Sequence, residues 1–139
     1  MPCTYELNAD ENLIEMTCCG RVTRGCILND LDALEDTPRQ IAELGEFRDY
    51  SDITELVLER EELNNLAQLM RGAYLRSGWK KRIAMLAPTG PGRIYSRVLG
   101  DALNSLATLE ARIFDTREAA LAFLRDDAPV RSDLRNQTV

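Results

Sequence analysis

The stretch from Lys80 to Arg93 constrains the fold more than any other part of the chain. It opens with three charges at Lys80, Lys81 and Arg82 and runs apolar from Ile83 to Ala87. It then breaks at Pro88-Thr89-Gly90-Pro91-Gly92, before an amphipathic segment from about Arg93 to Leu106. An uninterrupted apolar run between charge and a turn reads as a strand buried on both faces. This strand is therefore expected in the middle of a sheet, with helices laid against it. The 139 residues suffice for one domain with a real core. No apolar run approaches the length needed to span a bilayer, and the N-terminus lacks the basic-then-apolar pattern of a signal peptide. A cytoplasmic protein is expected, with Cys3, Cys18, Cys19 and Cys26 as free thiols.

Thr4 to Leu7 and Leu13 to Cys19 flank the turn-forming residues Asn8 to Asn12 and read as a β-hairpin with a five-residue loop. Gly20 is read as the end of the second strand. Thr23 is placed to cap a helix with Ile27, Leu28, Leu31 and Leu34 on one stripe, closed by Asp36-Thr37-Pro38. Ile41 to Leu44 reads as a short turn. Phe47 to Ile53 reads as a strand of unusual polarity, followed by the short apolar connector Leu56 to Leu58. A helix from about Glu61 presents Leu63, Leu66, Met70 and Ala73 on one face and ends at Gly78. After the Lys80–Arg93 unit, Ala111 to Phe114 forms a last strand. Asp115 and Glu118 have capping-box spacing at the start of a final helix that packs Leu121 and Leu124 inward. The order ββαβαβαβα predicts a single-domain α/β fold over residues 1–125. Its mixed sheet has about five strands, an N-terminal hairpin followed by alternating βα units. Residues 126–139 are polar and aperiodic and are expected to form a flexible tail.

Charge is unevenly spread. Through Glu62 there are 5 basic and 16 acidic side chains, 5 − 16 = −11; from Leu63 onward there are 12 basic and 7 acidic, 12 − 7 = +5. Two readings stand: self-association of an acidic half with a basic half, or two halves that face each other within one fold. The net charge of −6 argues against a nucleic-acid partner.

Thr89, Gly90, Gly92 and Arg93 form one candidate site. They follow a strand and open a helix, where free N–H groups and glycines let a phosphate approach and Arg93 adds a bidentate contact. The segment lacks the remaining glycines and the lysine of the Walker and dinucleotide fingerprints, and an ordinary strand-to-helix turn is the competing reading. Asp49 and Ser51, on one face of the polar strand, form a second candidate, against a structural or interfacial role. The basic set Arg71, Arg76, Lys80, Lys81, Arg82, Arg93 and Arg97, interleaved with Tyr74, Trp79 and Tyr95, offers an anionic-partner surface unless the aromatics are core. Cys18 and Cys19 are adjacent and cannot pair with each other without distortion. With no histidine in the chain, a Ser/His/Asp or Cys/His triad is excluded, and neither a zinc site nor another metal or cofactor is expected.

The segments Tyr5…Leu13-Ile14…Gly20-Arg21-Val22-Thr23, Arg48 to Thr54, Arg82 to Pro88, and Ala111 to Asp115 with Glu118 to Leu124 together resemble the SpoIIAA-like family, small bacterial domains of STAS or CRAL-TRIO type. The resemblance covers roughly residues 4 to 125. It implies a non-enzymatic regulatory module that binds a partner protein or a small ligand. In relatives that act as anti-sigma-factor antagonists, a phosphorylated serine lies in an Asp-Ser-Ser-Gly segment; the corresponding stretch here, Ile53 to Glu62, contains no serine. The expectation is a protein–protein interaction module, working as a homodimer and with an unidentified protein partner. The alternative is a binder of a lipid or phosphate-containing molecule at Thr89–Arg93.

Overall fold

The computed structural model describes residues 3–126. Five strands form one sheet: β1 (Cys3–Asn8), β2 (Leu13–Val22), β3 (Glu46–Leu56), β4 (Lys81–Leu86) and β5 (Leu109–Phe114). Their spatial order repeats their order in the chain. β1 and β2 are antiparallel and every later pairing is parallel, so the sheet is mixed and the expected architecture holds. The polar tail expected from residue 126 lies, past Asp126, outside the described residues.

Helices α1 (Arg24–Glu35), α3 (Arg60–Ser77) and α4 (Gly90–Asn104) enclose the larger core on one face of the sheet. The single turn α2 (Arg39–Ala42) leads into β3, and α5 (Arg117–Arg125) crosses to the other face. There Leu13, Phe47, Ala84 and Ala120 are buried, with Leu121, Phe123 and Leu124 packed against them. Local chemistry sets the boundaries. Thr23 caps α1 by accepting from the Cys26 amide at 3.4 Å. Gly78 ends α3 at φ 71°, a left-handed conformation that costs glycine little.

Three expectations change. The strand Lys81–Leu86 is interior but fourth in the order; the centre of the sheet is β3, the polar strand. Gly20, at φ 74°, does not end β2. It adjoins a register shift against β3, and the strand continues through that irregularity to Val22. The cap of α5 is Thr116, whose hydroxyl accepts from the Ala119 amide at 3.2 Å, rather than Asp115.

β3 pairs with β4 only from Glu46 to Asp49. Beyond that point the start of α4 closes on β3. A Cβ built on Gly92 would lie 2.1 Å from the Tyr50 carbonyl oxygen, so only glycine permits this approach. At Gly25, a Cβ would meet nothing nearer than the Thr23 hydroxyl at 3.6 Å, an ordinary contact. Gly92→Ala is therefore expected to destabilise the fold by on the order of 3 kcal/mol or more. Gly25→Ala, within a helix, should be neutral or stabilise by up to about 1 kcal/mol. Urea denaturation of both variants checks this; a Gly92→Ala protein as stable as the parent would contradict the packing.

Candidate functional site

Strand alternation divides the residues of β3 between two environments. Glu46, Arg48 and Tyr50 point into the larger core, whereas Phe47 faces α5. Arg48 is flanked in register by Met16 of β2 and Met85 of β4, and its side chain is fully buried. A guanidinium without water needs all its N–H groups bonded and its charge balanced. Its Nη1 donates to Asp30 Oδ2 at 2.7 Å and to the Tyr50 hydroxyl at 3.0 Å. Its Nε donates to Glu46 Oε1 at 2.8 Å, and its Nη2 lies 2.7 Å from the same oxygen. Nη2 also donates to the Tyr74 hydroxyl at 3.0 Å. Tyr74 passes its own proton toward Glu46, 2.7 Å from Oε2. Lys81 completes the group: its Nζ pairs with Glu46 Oε2 and donates to the Ala42 carbonyl at 2.9 Å. The Lys81 ammonium also sits 4.9 Å from the Trp79 ring centre and 5.4 Å from that of Tyr74.

Two cations and two anions are thus sealed together, drawn from α1, β3 and β4, with α3 contributing Tyr74. Burial alone would raise the Glu46 pKa, but Lys81 first and Arg48 second reverse that and hold it at about 2. For Asp30, burial outweighs the pull of Arg48, and its pKa lies above the usual carboxylate range. Burial also pushes the Tyr50 phenol up to about 12, so it stays protonated as a donor. One atom of the group is unsatisfied: Asp30 Oδ1 is buried and has no hydrogen-bond partner.

The residues singled out from sequence fall elsewhere. Asp49 and Ser51 point away from this cluster and bond to each other, the Ser51 hydroxyl and amide both donating to Asp49 Oδ1 at 2.5 Å and 3.0 Å. Thr89 and Gly90 are exposed at the start of α4. Gly92 is buried against Tyr50, so its missing side chain admits protein backbone. The Arg93 guanidinium donates to Asp115 Oδ1 at 2.7 Å and to the Ala87 carbonyl at 3.2 Å, tying together the loops that follow β4 and β5. The expected basic surface is divided, because Tyr74, Tyr95 and Lys81 are core residues. The free-thiol expectation also changes. Cys3 and Cys18 stand opposite each other in the β1–β2 register and form a disulfide, while Cys19 is free and exposed and Cys26 free and buried.

Sequence reasoning missed Glu46, Asp30 and the role of Arg48. One signal was available. Asp30 falls on the inward face of α1 with Ile27 and Leu34, where an acid demands a buried partner. Among the described residues, no group of three or more His, Cys, Asp or Glu side chains could hold a metal ion, and no helix is long and apolar enough to cross a membrane.

Comparison with solved structures identifies the architecture. An uncharacterized protein of the DUF3478 family from Shewanella loihica PV-4, described as having a SpoIIAA-like fold, superposes with a TM-score of 0.53. The match covers 88% of this chain and 91% of that one at 18% sequence identity. The chain has a SpoIIAA-like fold. No family profile matches the sequence, and no curated protein matches it either. In this SpoIIAA-like domain the buried cluster lies at the centre of the sheet.

Removing one partner from a buried charge group leaves the others uncompensated. Arg48→Met is expected to cost about 3–5 kcal/mol, measured by urea denaturation. Acid dependence follows from Glu46, with a folded pKa of about 2 against an ordinary 4.5. The unfolded chain takes up the proton first as pH falls. The stabilisation is therefore full above about pH 4.5 and disappears as pH drops through about 2. A Glu46→Gln protein should be less stable at neutral pH and show a flatter loss across that window in denaturation midpoints.

Proposed function

We propose that this SpoIIAA-like domain is a non-catalytic module that acts by docking, with a second copy of itself as one partner. The observation that carries this reading is that the sheet keeps the strands in chain order. The excess of acid in the first half and of base in the second is therefore spread across the molecule from one edge of the sheet to the other. On the β1–β2–α1 side, Glu6, Asp10, Asp32, Glu35 and Asp36 are exposed. Arg97 of α4 and Arg112 of β5 are exposed on the opposite side. Part of the asymmetry is neutralised internally, by Arg117 with Glu15 and Arg125 with Glu11, where α5 reaches across to the hairpin, and by Arg112 with Glu110 within β5. What remains suits a two-fold pair in which each acidic side meets the partner's basic side.

The absence of turnover is part of the same proposal. The densest group of ionisable side chains, around Arg48, is enclosed and engaged with itself, which suits a rigid scaffold better than proton transfer to a substrate. A phosphate-containing ligand at Thr89–Arg93 is the weaker alternative, because the Arg93 guanidinium already holds Asp115.

Sedimentation velocity tests the docking. A dimer is expected at about 0.1 M salt and dissociation toward monomer at about 1 M, where the screening length falls to roughly 3 Å. The double variant Arg97→Glu, Arg112→Glu should be monomeric at both. A parent protein that stays monomeric when concentrated at low salt contradicts self-association.

A further inference from the structure

The sheet has two edges, β1 and β5, and their backbones are treated differently. On β5 the outward backbone groups of Ala111 are both taken by the side chain of Asn104, which donates to the carbonyl at 2.8 Å and accepts from the amide at 2.8 Å. A side-chain amide thus plugs that edge where a further strand would pair. The β1 edge is open. The Ile14 amide donates to the Gly45 carbonyl at 2.9 Å, on the β3 side, so Ile14 and the opposite Leu7 are a pair that exchanges no hydrogen bonds. By alternation the N–H and C=O groups of Leu7 and Tyr5 point outward from the sheet edge. Among the described residues no turn, loop or helix backbone bonds them. The Cys3–Cys18 disulfide and the hydrogen bond from Thr37 to the Tyr5 hydroxyl hold β1 in place, so this edge is preformed.

Beside the open edge lies a cleft of about 250 Å³ between β1, α1 and α2, with Tyr5, Leu7, Ile14, Ala33, Pro38 and Ile41 among its apolar walls. Leu7 is 47% exposed, so an apolar side chain stands uncovered at the cleft. The surroundings are acidic: Glu6 and Asp36 border the cleft, and Asp32 and Glu35 are exposed on α1. We propose that the β1 edge binds an extended segment of a partner protein in which β-branched apolar residues alternate with lysine or arginine. The segment adds to the sheet as a sixth strand. Its backbone pairs with Tyr5 and Leu7, its apolar side chains fill the cleft, and its cations enter the field of Glu6 and Asp36. The β1 strand of a second copy does not fit, because it would set two acidic edges against each other. The inference rests on the docking reading for the acidic side alone; it does not depend on self-association through Arg97 and Arg112.

The probe is the peptide acetyl-Lys-Val-Lys-Val-Lys-Val-Lys-amide, titrated into the full chain at about 0.1 M salt and followed by amide hydrogen exchange. The Tyr5 and Leu7 amides are expected to become protected saturably, while the Glu6 amide, already bonded within the β1–β2 ladder, changes little. Two further peptides are N-methylated, one at every valine and one at every lysine. One of them should bind roughly tenfold or more weakly, because only one edge of an incoming strand pairs. The peptide with glutamate in place of lysine should not bind. Leu7→Pro removes an outward N–H at a position where an edge strand tolerates proline, and should weaken the lysine peptide to a similar degree. Equal binding of the parent peptide and both N-methylated forms would overturn strand addition, and equal binding of the glutamate peptide would overturn the charge assignment. Failure of the lysine peptide to protect Tyr5 and Leu7 would overturn the site, whatever sedimentation velocity shows of self-association, so the two readings fail separately. Because the peptides are compared on the parent protein, the result stands even if Leu7→Pro fails to fold.

Discussion

The ionic bonds of Arg48 are the constraint on which the rest of the structure depends. A guanidinium at the centre of a sheet cannot be tolerated alone. Asp30 must come from α1, Glu46 from the same strand, Tyr74 from α3, and Lys81 must neutralise the far side of Glu46 from β4. Apolar packing would accept many small shifts of these elements. Hydrogen bonds of 2.7–3.0 Å to a planar fork accept few. The cluster thereby specifies how α1 and α3 sit on the sheet, and replacing one member costs more than the bond it makes.

Much of the architecture was legible in the chain. The helix stripes, the Thr23 cap, the Gly78 stop and the apolar run of β4 are local signals, and the alternation of strands and helices dictates parallel pairing. The buried ionic cluster was less legible, because what matters there is non-local. Arg48 finds Asp30 18 positions earlier and Tyr74 26 positions later. Nothing within the polar strand distinguishes the Glu46–Arg48–Tyr50 face from the Asp49–Ser51 face, since both carry polar groups and a period of two fits either. Gly92 was legible as a glycine that lets something approach, but not as one that lets Tyr50 approach.

The cysteine pair shows how narrow the margin was. A five-residue loop from Asn8 to Asn12 would place Leu7 opposite Leu13 and Cys3 opposite Thr17. The observed register puts Asn8 opposite Leu13, which brings Cys3 opposite Cys18. One residue of loop length decides whether two thiols meet. The same hairpin forms one wall of the cavity that Asp30 lines.

The central claim is that Arg48 is charged, sealed from water and held at every nitrogen. Proton NMR of the arginine side chains at neutral pH tests it most directly. The account predicts one guanidinium with separate, slowly exchanging Nη proton resonances, assigned to Arg48 by their loss in Arg48→Lys. Averaged signals exchanging as fast as those of the exposed arginines would contradict it, because water would then reach the cluster on which the fold is built.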